Sequence, residues 1–171
     1  AKLPMREATS LPVAKCIYER LPFPARNGGL ERAFIEWAQA DAGVEAFCKI
    51  SETRHDFVRL RYVKEDGLPA FYSPDFLVRT VDAVFLVETK AQEQVNNPNV
   101  QRKLKAATAW CERINGLPDA DGQIRRRWHY VLLGERIFAE WRNKGARLPE
   151  LLDFARVRPL ASVISQGRLG F

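Results

Sequence analysis

The chain has 171 residues and a mass of 19.6 kDa, enough for one domain with a real core and short for two. Its 46% hydrophobic and 28% charged residues exclude a disordered tail, a collagenous rod and a coiled coil. No apolar run approaches the ~20 residues of a membrane-spanning helix, and the opening AKLPMREATSLPVAK lacks the layout of a signal peptide. A soluble, cytoplasmic chain with no membrane partner is expected. Cys16, Cys48 and Cys111 form no CxxC pair and sit at no ligand spacing to His55 or His129, so inert thiols in a reducing compartment are expected. The 27 basic and 21 acidic residues leave a net charge of +6. Between Gln101 and Arg147 there are eleven Lys or Arg against five Asp or Glu, and the remainder is balanced at sixteen each. Such a run is either the footprint of a polyanion partner or a solvated helix face.

The first 27 residues carry four prolines, Pro4, Pro12, Pro22 and Pro24, and read as an extended arm ahead of a domain over 28–171. The start at Ala1 and the GRLGF end suggest a piece of a longer protein. After Asn27-Gly28-Gly29, a flexible entry, Leu30, Ala33, Phe34, Trp37 and Ala38 recur at helical spacing. Glu31 borders that stripe instead of opposing it, either as a first-turn acid complementing the helix dipole or for another purpose.

Strand-like runs follow. EAFCKI is short; DFVRLRYV alternates, with Val58, Leu60 and Tyr62 on one face and Phe57, Arg59 and Arg61 on the other. Asp66-Gly67 marks a hairpin turn. AFYSPDFLVR reads as the next strand. AVFLVETK is apolar from Ala83 to Val87, as a central strand buried on both faces should be. Asn97 as cap, Pro98 at the first helical position and Asn115-Gly116 at the end delimit a long helix. RRRWHYVLLGE gives a last strand, with helical stretches near 137–141 and 151–156. The pattern predicts an α/β layered domain with a central mixed sheet flanked by helices. Trp37 and Trp110 are assigned to the core and His129 to a structural role; Phe71 and Tyr72 touch a base or simply pack.

Two segments carry chemistry: Ser73-Pro74-Asp75-Phe76 and Val87-Glu88-Thr89-Lys90. In a strand Glu88 and Lys90 point to one side. A carboxylate and an ammonium ending an apolar strand are costly unless paired or in use. Asp75, on the preceding strand, can lie across from Glu88, and Pro74, lacking a ladder donor, suggests an edge or bulge that re-aims it. Two close carboxylates form a hard-oxygen site for a divalent cation such as Mg²⁺. A bound cation lowers the pKa of water and neutralises phosphate charge, and Lys90 beside it can orient or deprotonate that water and stabilise the transition state. An internal ion-pair network without metal is the alternative.

Pro-Asp followed after twelve residues by Glu-x-Lys at the end of an apolar strand resembles the PD-(D/E)XK nuclease motif. GGLERAFIEW, FCKI, YSPDFLVR, FLVETKAQ and KAATAWCERIN together resemble the carboxy-terminal endonuclease domain of type III restriction enzyme Res subunits, over about 28–133. The resemblance implies an αβββαβ restriction-endonuclease-like core and a Mg²⁺-dependent endodeoxyribonuclease, with Mn²⁺ as a substitute. It implies Asp75 and Glu88 as metal ligands, the Thr89 carbonyl as a further ligand, Lys90 as the catalytic lysine and Glu31 as an acidic residue joining from the first helix. Ala91 stands where this group often has Gly. Double-stranded DNA is the implied substrate, and the partners are a methyltransferase that reads sequence and the helicase region of the parent protein. The chain holds no G-x-x-x-x-G-K-[ST] loop, so no ATP site is expected in it. Lys103 is taken to approach a phosphate, and Arg125, Arg126 and Arg127 to grip phosphates or to form a solvated loop. Gln92 and Gln94 lie near the motif without an assigned place. The competing functions are another nuclease of this fold, of repair or transposon-end type, and a DNA-binding module that kept the fold without the chemistry.

Overall fold

The computed structural model of the chain describes residues 6–118 and 126–157. A short antiparallel ribbon, β1 (Ser10–Pro12) and β2 (Arg20–Pro22), precedes helix α1 (Gly29–Ala40). Strand β3 (Ala46–Lys49) follows, then a second ribbon of β4 (Leu60–Val63) and β5 (Pro69–Tyr72). Strands β6 (Phe76–Arg79) and β7 (Ala83–Lys90) lead into the long helix α2 (Pro98–Asn115). Strand β8 (Arg127–Gly134) runs directly into α3 (Glu135–Asn143), and α4 (Leu148–Ala155) closes the described chain. The central sheet has the order β3-β6-β7-β8; its first three strands are antiparallel neighbours, and β8 joins β7 in parallel through the α2 crossover. This is a mixed sheet flanked by helices, consistent with a restriction-endonuclease-like fold, with the β4–β5 ribbon added between the first two strands of the core.

Both faces of β7 are covered, which is why its sequence is continuously apolar rather than alternating. Phe85 and Val87 join Phe34, Trp37, Phe76, Val131, Leu133 and Leu151 in the core under α1, α3 and α4. Leu86 joins Val58, Leu60, Tyr72, Ala107, Cys111 and Tyr130 in a second core under α2 and the β4–β5 ribbon. The proline-rich amino-terminal stretch, expected as an extended arm, carries this ribbon, which buries Leu21 completely in the first core. Helix α2 begins as its sequence requires, with the Asn97 side chain accepting from the Asn99 N–H at 2.9 Å and Pro98 in the first turn.

AFYSPDFLVR is two strands rather than one. Pro74 cannot donate to a ladder, and the chain breaks between Tyr72 and Phe76, leaving one sheet and entering another. Two glycines matter to the layout. Gly67 adopts φ +84° in the hairpin turn. At Gly28 a Cβ would stand 2.1 Å from the Pro24 carbonyl oxygen, so the approach that starts α1 admits no side chain. Among the described residues no helix is long and apolar enough to cross a membrane.

Cys16 and Cys48, unpaired by sequence spacing, are neighbours in space. The Phe47 N–H donates to the Lys15 carbonyl at 2.9 Å, and a hydrogen bond from Cys48 pulls the Cys16 thiol down to about 6 while pushing the Cys48 thiol up. Cys111 is buried. His55 is bonded through both ring nitrogens, to the Tyr18 hydroxyl at 2.9 Å and the Ser51 N–H at 3.0 Å.

Phe34 is fully buried and stacks on Phe76 with ring centroids 4.5 Å apart, joining α1 to the strand that follows Asp75. Truncation there removes both aromatic contact and volume that cannot collapse. Phe34→Ala is expected to lose about 3–5 kcal/mol in urea unfolding; a loss below about 1 kcal/mol would show that α1 is not anchored through this stack.

Candidate functional site

The site forms where β6 and β7 begin and end their pairing. Phe76 lies opposite Val87 in the antiparallel register, so Asp75, one residue before β6, falls opposite Glu88. An Asp75 carboxylate oxygen accepts from the Thr89 N–H at 2.8 Å and the Thr89 hydroxyl at 2.7 Å. The Asp75 carbonyl accepts from the Ile50 N–H at 2.8 Å, tying the Ser73–Asp75 break to the end of β3. Glu88 and Lys90 share a face of β7, as alternation demands, and Lys90 Nζ stands 2.7 Å from Glu88 Oε1.

Glu88 is only 3% exposed, and its second oxygen, Oε2, has no hydrogen-bond partner. Burial first, and the nearby Asp75 charge second, push its carboxyl up to about 7, against the opposing pull of Lys90 and Lys103. Burial draws the Lys90 ammonium down, but Glu88, with Asp75 and Glu31 behind it, outweighs burial and holds it above the ordinary lysine value.

Glu31, in the first turn of α1, faces the same region and forms an ion pair with Lys49 at the end of β3. With Lys90, Thr89, Glu93, Gln94 and Glu135 it lines a cleft of about 530 Å³. On the α2 side, Lys103 extends over the rings of Tyr72 (5.0 Å) and Tyr62 (5.7 Å) and acts on the Glu88 carboxyl. The Tyr72 hydroxyl donates to the Lys103 carbonyl at 2.9 Å, while that of Tyr130, on β8, is buried without a partner.

The structure thus brings Asp75, Glu88, Thr89, Lys90 and Glu31 together and sets Lys103 beside them. It does not bring Arg126 or Arg127 there. Arg127 is in register with Ala83, five residues before Glu88, about 17 Å along the strand. Arg126 donates to the Thr80 and Val81 carbonyls at 2.9 and 3.0 Å and pairs with Glu45 at 3.1 Å, fastening the β6–β7 turn at the opposite end of the sheet. Arg125 lies outside the described residues.

Two participants escaped the sequence reading. Lys49 was signalled as the one cation in the strand AFCK, and Tyr130 as a phenol among the apolar residues of β8. Gln92 lies against Gly134, where a Cβ would stand 3.0 Å from its Oε1, and Gln94 lines the cleft.

Among the described residues no three His, Cys, Asp or Glu side chains close around a common point as a metal cage. Asp75 and Glu88 nevertheless offer two carboxylates, and the orphaned Glu88 Oε2 is a buried acceptor awaiting a positive partner. That donor set fits a hard cation of the Mg²⁺ type, which keeps several waters and needs only one or two carboxylates from the protein.

Residues 48–116 match the family model described as TnsA-like endonuclease N terminal, a family of the PD-(D/E)XK nuclease superfamily. The matched segment is 69 of the 171 residues and contains Asp75, Glu88, Thr89 and Lys90, but not Glu31. No curated protein and no solved structure matches the chain.

The Glu88 environment sets a pH dependence. The folded chain keeps this proton to about pH 7, whereas the unfolded chain loses it near 4.5. Between those values the unfolded state binds fewer protons, so stability falls as pH rises. Across that window wild type is expected to lose about 3 kcal/mol relative to Glu88→Gln, which cannot ionise. Paired urea titrations from below pH 4.5 to above pH 7 check this, and a difference that stays constant with pH refutes it.

Proposed function

We propose that the chain is a Mg²⁺-dependent DNA endonuclease domain that hydrolyses phosphodiester bonds at the end of β7. The observation that carries this is the convergence of Asp75, Glu88 and Lys90, with one buried carboxylate oxygen left unpartnered, inside a segment that matches a nuclease family. Asp75 and Glu88 would hold the cation, with the Thr89 carbonyl as a further oxygen donor. A bound Mg²⁺ supplies Lewis acidity, lowering the pKa of water and offsetting charge on the phosphate.

The protein's own groups do the rest. Thr89, through its N–H and hydroxyl, orients the Asp75 carboxylate. Lys90 is protonated while Glu88 pulls on it, and in that state it donates to a non-bridging phosphate oxygen. Burial opposes the pull of Glu88 on Lys90, and a Lys90 that has released its proton to solvent would, as the amine, take the proton of the attacking water. The water oxygen bonds to phosphorus, the P–O ester bond breaks, the leaving oxygen takes a proton from solvent, and one strand is cut. Glu31, already paired with Lys49, supports the site from α1 rather than leading it.

The family match favours a nuclease of transposon-end type over a type III restriction nuclease, for which only the resemblance of short segments speaks. Under this reading the substrate is duplex DNA at the boundary of a mobile element. The methyltransferase and helicase partners of the restriction reading have no support beyond that resemblance.

Nicking of supercoiled plasmid tests the proposal. Wild type is expected to nick in Mg²⁺ or Mn²⁺ and to stop in EDTA. Asp75→Ala and Lys90→Ala are each expected to lose about 10²-fold or more in rate while melting as folded proteins. Nicking at wild-type rate by both variants would remove the assignment.

A further inference from the structure

The β4–β5 ribbon has two faces of opposite character. Leu60, Tyr62 and Tyr72 turn inward onto α2. The outer face presents Arg59, Arg61, Val63, Pro69 and Phe71 to solvent. Phe71 is 59% exposed, and Arg61 lies directly opposite it in the ladder. On its other side the Arg59 guanidinium sits 5.3 Å from the centre of the Phe71 ring. An exposed aromatic ring therefore has one guanidinium over it and a second arginine opposite it in the ladder, and neither arginine forms an ion pair with a described residue.

The ribbon is held firmly. The Tyr72 hydroxyl bonds the Lys103 carbonyl at 2.9 Å, and the Glu65 N–H donates to Asn99 Oδ1 at 2.9 Å, so both ends are tied to α2. Its last residue, Tyr72, is separated from Asp75 by Ser73 and Pro74 alone. The ribbon thus joins the carboxylate site through a connection of two residues. Two uncompensated arginines beside an apolar ring repel an ordinary apolar protein surface and suit a polyanion with flat, partly apolar groups between its charges.

We propose that the outer face of this ribbon is a DNA-binding surface, in which Arg59 and Arg61 contact phosphates of the duplex flanking the cut and Phe71 packs against the sugars or bases between them. A strand of four residues extends about 13 Å, close to four base-pair steps at 3.4 Å. The inference rests on the nuclease reading for the duplex as occupant; an acidic protein segment is the competing occupant.

Fluorescence anisotropy with a labelled 20-base-pair duplex tests it, using the 171-residue Asp75→Ala chain as parent so that the probe is not consumed. Adding Arg59→Ala and Arg61→Ala is expected to weaken binding and to lower the slope of log affinity against log salt by about 1.8, near 0.9 for each lost phosphate contact. Arg59→Lys with Arg61→Lys should keep the slope. Phe71→Ala should weaken binding with the slope unchanged. Should the alanine pair fail to fold, Arg61→Gln alone repeats the test at about half the slope change.

Undiminished affinity and slope in the alanine pair overturns the proposal, as does a parent that binds no duplex or binds an acidic peptide in its place. Plasmid nicking by the same substitutions in an otherwise wild-type chain separates the two ideas. If wild type nicks and the arginine variants bind and nick as it does, the ribbon assignment falls and the nuclease stands. If the slope drops as expected in a chain that never nicks, the ribbon assignment stands and the nuclease falls.

Discussion

A carboxylate buried at the end of an apolar strand governs this structure. Glu88 follows five apolar residues on β7 and inherits their burial, so it cannot be solvated as a surface glutamate is. The groups around it answer that constraint. Lys90, two residues on, reaches back to one oxygen; Lys103 on α2 contributes at longer range; Asp75 opposes them both. The remaining oxygen is unsatisfied. A purely structural ion pair would be expected to close on itself, because one orphaned buried acceptor is enough to make an apolar replacement preferable. The proposed cation site is the reading that gives this oxygen a partner.

Much of this was legible because the signals are local. The period of Leu30, Phe34 and Trp37 gives α1, the apolar run gives β7, and Asn97-Pro98 with Asn115-Gly116 bounds α2 nearly to the residue. Glu88 and Lys90 share a face by strand geometry alone, and the short turn after β6 places Asp75 opposite. What the sequence hides is which strand joins which sheet. Nothing local says that the residues before and after Pro74 belong to different sheets, and only that division turns β4–β5 into a ribbon with a solvent-facing side.

The linear charge count left two readings open for a related reason. The described residues of the basic stretch from Gln101 to Arg147 are dispersed over α2, β8, α3 and the start of α4, and several are occupied: Arg126 with Glu45, Arg142 with Glu36, Lys144 with Glu140, Arg147 with Asp41. The remainder of the chain, balanced in sum, still concentrates Arg59 and Arg61 on one face of one ribbon. A linear count averages over residues that the fold sends to opposite sides. Pairing partners distant in sequence decide which charges remain for a ligand.

The two carboxylates outside the β7 run are not equivalent to Glu88. Asp75 has one oxygen committed to Thr89 and lies directly across the ladder, so its position is fixed by the same strand pairing that fixes Glu88. Glu31 comes from a different layer, and its charge is met by Lys49, which β3 carries to the same end of the sheet. That ion pair bridges α1 and β3 and helps hold the helix at its place over the cleft. The family match runs from the last two residues of β3 through α2 and does not include α1. On the proposed nuclease reading the chemistry belongs to the hairpin of β6 and β7, and α1 supplies one wall of the cleft beside it.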